Sequence, residues 1–141
     1  MRVLLDTNVV LDHLLLREPN IKVSDELFDM IANDKIEAHI TTNSLIDIFY
    51  LSKKSLGETE AKKAIQNLIN VSTIISVDCN DCESALLLPI SDFEDAIVVV
   101  CAFKTEVDFI LTNDKNFPKT KKEKFKTVKP NEFIAIQRNL I

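Results

Sequence analysis

Apolar and polar positions along this chain fall into short runs of two kinds, and their alternation predicts the architecture. Val3-Leu4-Leu5 is an unbroken apolar run rich in branched residues, the pattern of a strand buried on both faces, and it ends at Asp6. Thr7 and Asn8 then supply capping chemistry for a helix through Val9-Val10-Leu11 to Leu16. After a turn at Arg17-Glu18-Pro19-Asn20, Ser24 is the expected N-cap of a helix carrying Leu27, Phe28, Ile31 and Ala32 at helical spacing. Ala38–Thr41 reads as a second strand. Helices over about Thr42–Lys53 and Glu58–Ile69 follow, and then a third strand over Thr73–Val77. Asp78 or Asn80 caps a short helix through Leu86, Pro89 breaks the pattern, and a long apolar helix runs from about Asp92 to Lys104. Phe109–Thr112 is the fourth strand. A lysine-rich loop leads to a weak fifth strand near Thr127-Val128, and Pro130 fits the first turn of a last helix over Asn131–Arg138. Strands alternating with helices predict an α/β fold with a mostly parallel sheet covered on both sides.

Composition narrows the chemistry. The 141 residues suit a single domain spanning 1–141. The net charge of −5 argues against a bulk electrostatic binder of nucleic acid, without excluding a local site. No apolar run approaches the roughly 18 residues that a membrane span needs. Met1-Arg2 leads straight into a strand, unlike a signal peptide, so a cytoplasmic location is expected. Cys79, Cys82 and Cys101 do not make a disulfide framework. Cys79 and Cys82 have C-x-x-C spacing, but His13 and His39 show no matching zinc pattern. Cys101, inside an apolar helix, reads as core. The single glycine, Gly57, rules out a Walker loop or a dinucleotide fingerprint. If the sheet edge at Asp6 handles phosphate, a carboxylate holding a metal ion must do it; the plainer reading is that Asp6 only caps the first helix.

Acidic residues recur at such edges. Asp47 sits within Leu45–Leu51, a segment apolar nearly all round and therefore expected to be buried on more than one face. A charge there needs a partner, either an ion pair with a lysine such as Lys53 or Lys54, or a cation. Ser91 with Glu94 three residues on fits a capping box, and Asp92 suits the helix dipole. Asp95 is not needed for capping, which makes it the better ligand candidate. Asp114 follows the fourth strand as Asp6 follows the first, although Asn113-Asp114 also fits a plain turn. Carboxylates about 6 Å apart repel by roughly 3 kcal/mol per pair at an effective dielectric of about 20. Four in one pocket approach a domain's whole stability of about 5–15 kcal/mol. Such a cluster must protonate or bind metal, and all-oxygen ligation suits Mg²⁺ or Mn²⁺ better than zinc.

With these residues assembled, the chain resembles the PIN-domain ribonucleases, in particular the VapC-like toxins of bacterial toxin–antitoxin pairs. The carriers are Leu5–Asp12, Thr41–Asp47, Asp92–Ala96 and Leu111–Asp114. The resemblance implies a three-layer α/β/α fold with a five-stranded sheet, usually as a homodimer. It makes Asp6, Asp47, Asp95 and Asp114 the catalytic quartet, with Asp6, Asp95 and Asp114 holding Mg²⁺ or Mn²⁺. Thr7, Asn8 and Thr112 brace the site, supported by Asp92 and Asn113. Where the family commonly has Glu, this chain has the shorter Asp47, so contact through a bound water is expected there. The activity implied is endoribonucleolytic hydrolysis leaving 5′-phosphate and 3′-hydroxyl ends. The expected partners are an RNA substrate and a separate antitoxin, with no membrane. Lys115, Lys119, Lys121 and Lys122 crowd the segment after Asp114 and are candidates for phosphate contacts, against the plainer reading of a solvated loop. Two alternatives stand beside the nuclease: a catalytically inactive PIN-like RNA- or protein-binding module, and a phosphoacceptor receiver domain. The Asp6-Thr7-Asn8 opening and the weak last strand fit the receiver poorly.

Overall fold

In a computed structural model, which describes residues 1–119 and 124–139, the apolar runs form strands and the amphipathic runs form helices, in the predicted order. The elements are β1 (Arg2–Leu5), α1 (Thr7–Leu14), α2 (Ile21–Ala32), β2 (Glu37–Thr41), α3 (Thr42–Leu56), α4 (Glu58–Val71), β3 (Thr73–Ile75), α5 (Cys79–Leu86), α6 (Phe93–Thr105), β4 (Phe109–Leu111), β5 (Lys126–Val128) and α7 (Pro130–Asn139). All four strand pairings are parallel, in the order β3-β2-β1-β4-β5. The receiver alternative falls here, because flavodoxin-like sheets run 2-1-3-4-5.

Alternation along the strands builds two cores. Val3, Leu5, Ala38, Ile40, Phe109 and Leu111 face one side, packed with Val9, Val10, Leu27, Ile31, Ile48, Leu68, Phe133 and Ile134 from α1–α4 and α7. Leu4, Ile75 and Ile110 face the other, under Ala85 of α5 and Ala96–Val99, Cys101 and Ala102 of α6. Both faces are therefore dry, as a parallel sheet requires. Gly57, at φ +85°, ends α3 and opens α4, a left-handed position that glycine adopts without Cβ strain. Among the described residues no helix is long and apolar enough to cross a membrane.

Two expectations are corrected. Ser24 is not a cap. The helix starts at Ile21, and Ser24 lies on its buried stripe with Leu27 and Ile31, its hydroxyl lacking a hydrogen-bond partner among the described residues. Nor is the Leu45–Leu51 segment buried all round. Ser44, Ile48 and Ser52, spaced four apart, form the one buried stripe of α3, and Ile46 and Tyr50 on its outer side are 57% and 60% exposed.

Candidate functional site

From β1 the chain crosses first towards β2 and β3 and later to β4 and β5 on the opposite side, which makes β1/β4 the switch point of the sheet. Ligands of open α/β sheets bind at the carboxyl ends of such strands. Asp6 and Thr112 stand there, each just past its strand. Asp6 caps α1, as the plainer reading of a strand-end aspartate has it, rather than Thr7 or Asn8. Its backbone is extended, and its Oδ1 accepts from the Thr7 N–H at 2.9 Å. Asp6 Oδ2 accepts from Thr112 Oγ1 at 2.7 Å and from Asn8 Nδ2 at 3.4 Å. Thr112 Oγ1 in turn accepts from the Asp114 N–H at 3.1 Å, so one hydroxyl ties the two strand-end acids together. Asp114 Oδ1 accepts from the Asn116 N–H at 2.9 Å, closing the turn that its sequence suggested. The Asn113 N–H donates to Asn8 Oδ1 at 3.2 Å.

Above this edge lies a cleft of about 470 Å³, lined by Asp6, Thr7 and Asn8, by Asp47 and Tyr50 of α3, and by Glu94 and Asp95 of α6. Glu94 was not among the expected site residues. The predicted Ser91–Glu94 capping box does not form, because Asp92 is the N-cap. Its extended backbone directs the carboxylate to the Asp95 N–H at 3.1 Å. Asp95 thereby takes the third helical position, and the Glu94 side chain is released towards the cleft. It hydrogen-bonds Asp47, which therefore does not rely on Lys53 or Lys54 for its partner. Asp114 lies beside the cleft, on the wall of a smaller one of about 220 Å³ that also contains Thr112, Lys115, Phe117, Lys119 and Lys129. Of the four lysines proposed for RNA, Lys115 and Lys119 are exposed on this wall, and Lys121 and Lys122 lie outside the described residues.

The electrostatics follow from this crowding. Burial pushes the Asp6 carboxyl above its ordinary value, aided by the charges of Asp114 and Asp92 and opposed by hydrogen bonds from Thr112 and Thr7. Asp95 is pushed up to about 6, first by burial and then by the charges of Asp92, Asp6 and Asp114. Glu94 is pushed up to about 7, first by its hydrogen bond with Asp47, then by burial and the surrounding acids. A hydrogen bond between two carboxyl groups requires a proton on one of them. The donors of the cleft are all oxygens, the set that hard divalent cations prefer. As the side chains stand, no three His, Cys, Asp or Glu groups among the described residues converge on one ion position.

Comparisons with known proteins agree with the geometry. The PIN-domain family model matches residues 2–116. A relative called Ribonuclease VapC1, from Aquifex aeolicus (strain VF5), is 28% identical over 121 residues, covering 82% of this chain and 83% of its own. Among solved structures, VapC20 of Mycobacterium tuberculosis, a sarcin-ricin loop cleaving toxin, superposes with a TM-score of 0.67 at 16% identity, covering 82% of this chain and 92% of that one. A toxin–antitoxin complex from Klebsiella pneumoniae gives 0.66 at 17% identity, covering 91% and 97%. VapBC2 from Rickettsia felis, bound to a DNA fragment from its promoter, gives 0.64 at 15%, covering 92% and 98%. The family match runs from β1 past Asp114 and so takes in every acid of the cleft and its rim: this chain belongs to the PIN-domain family.

Proposed function

We propose that this protein is an Mg²⁺- or Mn²⁺-dependent endoribonuclease, the toxin of a VapC-like toxin–antitoxin pair. The observation that carries the reading is that acids from three separate segments, Asp6, Asp47, Glu94 and Asp95, line one cleft at the sheet edge, with Asp114 beside it. PIN-domain ribonucleases generally depend on a divalent metal. Asp6, Asp95 and Asp114 would hold the ion. Asp47, the shorter acid, would act through a water, with Glu94 beside it. A bound cation supplies Lewis acidity, making a nucleophile available at neutral pH and neutralising charge on the departing oxygen. The chain's own residues do the rest. Thr112 and Thr7 fix Asp6 in direction with hydrogen bonds that favour its charged form, Asp92 holds the start of α6, and Glu94 stands beside Asp47 at the cleft wall. Lys115, Lys119 and Lys129 flank Asp114 and offer charge to the RNA backbone. The apolar outer side of α3, with Ile46, Tyr50, Leu51 and Leu56 exposed, supports contact with a separate antitoxin or a second copy in a homodimer.

The test is incubation of the purified protein with a pool of structured RNAs, with and without Mn²⁺. Metal-dependent cleavage leaving 5′-phosphate ends is expected, and Asp6→Asn should abolish it with the circular dichroism spectrum unchanged. Undiminished cleavage by Asp6→Asn would overturn the assignment. RNA or protein binding with neither cleavage nor Mn²⁺ uptake would favour the inactive module instead.

A further inference from the structure

Asp12 lies one helical turn beyond Asn8 on α1, at a position the resemblance quoted without giving it a role. It is only 6% exposed, yet no lysine or arginine pairs with it among the described residues. Instead its Oδ2 accepts two side-chain amides, Asn113 Nδ2 at 2.9 Å and Asn20 Nδ2 at 3.1 Å. Asn20 precedes α2 but makes no side-chain cap there, because its amide is turned to Asp12. Asn113 is therefore gripped twice by α1: its main-chain N–H by Asn8 Oδ1 and its side-chain amide by Asp12 Oδ2. Residues four apart on a helix share a face, and here both reach across to the loop after β4. The next residue is Asp114. Its own hydrogen bonds, to Thr112 Oγ1 and from Asn116 N–H, reach α1 only at the helix's first residue, through the bond from Thr112 to the N-cap Asp6.

We infer that Asp12 is a positioning residue: with Asn8 it clamps Asn113 along α1 and so, beside the Thr112 tie at the start of the helix, helps set where Asp114 stands relative to Asp6. The metal arm of this inference rests on the nuclease reading, whereas the clamp itself does not. Outer partners that orient metal-binding carboxylates typically change metal affinity by about 10–100-fold when removed. Asp12→Ala deletes both accepted bonds. In Asp12→Asn the carboxamide oxygen can still accept both amides, so the conservative variant keeps the clamp. Asn113→Ala deletes only the outer half and leaves Asp12 with Asn20.

Two readouts on the full chain decide the matter. The first is hydrogen exchange of the Asn113 and Asp114 amides, followed by NMR without metal. Asp12→Ala and Asn113→Ala should each speed it by about tenfold, the effect of one lost hydrogen bond of average strength, and Asp12→Asn should not. The second is the Mn²⁺ dissociation constant by calorimetry. It should rise about 10–100-fold in both alanine variants, no further in the double variant because the two act as one unit, and less than about threefold in Asp12→Asn. Should Asp12→Ala fail to fold, Asn113→Ala and Asp12→Asn carry the same contrast. Wild-type exchange at Asn113 and Asp114 in the alanine variants overturns the clamp, whatever happens to melting temperature. If the wild-type protein takes up no Mn²⁺, the nuclease reading fails, and the exchange experiment still decides the clamp.

Discussion

Asp95→Asn should make the metal-free protein more stable at neutral pH while destroying its function. The pKa of Asp95 rises from 3.8 to about 6, first through burial and then through Asp92, Asp6 and Asp114. The rise corresponds, at 1.36 kcal/mol for each tenfold, to roughly 3 kcal/mol at full strength. Asp95 is only partly buried, so solvent screening cuts that figure substantially. Its place in the first turn of α6 also gains it about 0.3–1 kcal/mol from the helix dipole. About 1 kcal/mol remains, or roughly 4 °C in melting temperature for a chain of this size. A carboxyl with a raised folded-state pKa contributes stability fully below its unfolded value of 3.8. That contribution is lost as pH rises through about 6. The variant should therefore match wild type near pH 4 and exceed it at pH 7.5 in EDTA. No side-chain hydrogen bond to Asp95 intervenes, since its contact with Asp92 is through the main-chain N–H. The assay is thermal unfolding by circular dichroism at both pH values. A variant equal to or less stable than wild type at pH 7.5 would refute the claim that burial and neighbouring like charge disfavour this carboxylate.

The opposite pH trend is expected at His39. Its ring is buried, both nitrogens lack hydrogen-bond partners among the described residues, and burial lowers its pKa against the pull of Glu37. Its contribution is present above the ordinary value of 6.5 and lost as pH falls below it. Going from pH 7.5 to 5.5 should therefore lower the urea midpoint of wild type more than that of His39→Leu, and parallel changes would count against it. Thr112→Val removes the donor to Asp6 and the acceptor for Asp114, and should weaken Mn²⁺ binding about 10–100-fold, with Thr112→Ser restoring it. Wild-type affinity in the valine variant would remove Thr112 from the site. Replacing Lys115 and Lys119 together by Glu should weaken RNA binding and reduce its logarithmic salt slope by about 1.4, at roughly 0.7 per phosphate contact on single strands. An unchanged slope would mean that these lysines only solvate their loop.

The order of elements was legible because each strand is a short branched apolar run and each helix has its own periodicity. Asp6 was legible from its place after Val3-Leu4-Leu5, and Asp95 from being one acid more than capping requires. What escaped was what depends on a single residue's register. Ser91 and Asp92 both make good caps, and the choice of Asp92 is what turns Glu94 from a capping partner into a cleft residue. The α3 segment reads as apolar all round because periodicity cannot distinguish a core face from a face kept for a partner. Only coordinates show Ile46 and Tyr50 in solvent. The grip of Asp12 on Asn113 spans 101 positions, and nothing local in either segment announces it.

Calorimetric titration with Mn²⁺ at pH 7.5 separates an acidic cleft that binds a divalent cation from one that does not. Saturable heat is expected in the wild-type protein and none in Asp6→Asn, with weaker binding as pH is lowered towards 6, where Asp95 takes up its proton. Identical titrations of the two proteins, or no heat in either, would contradict it.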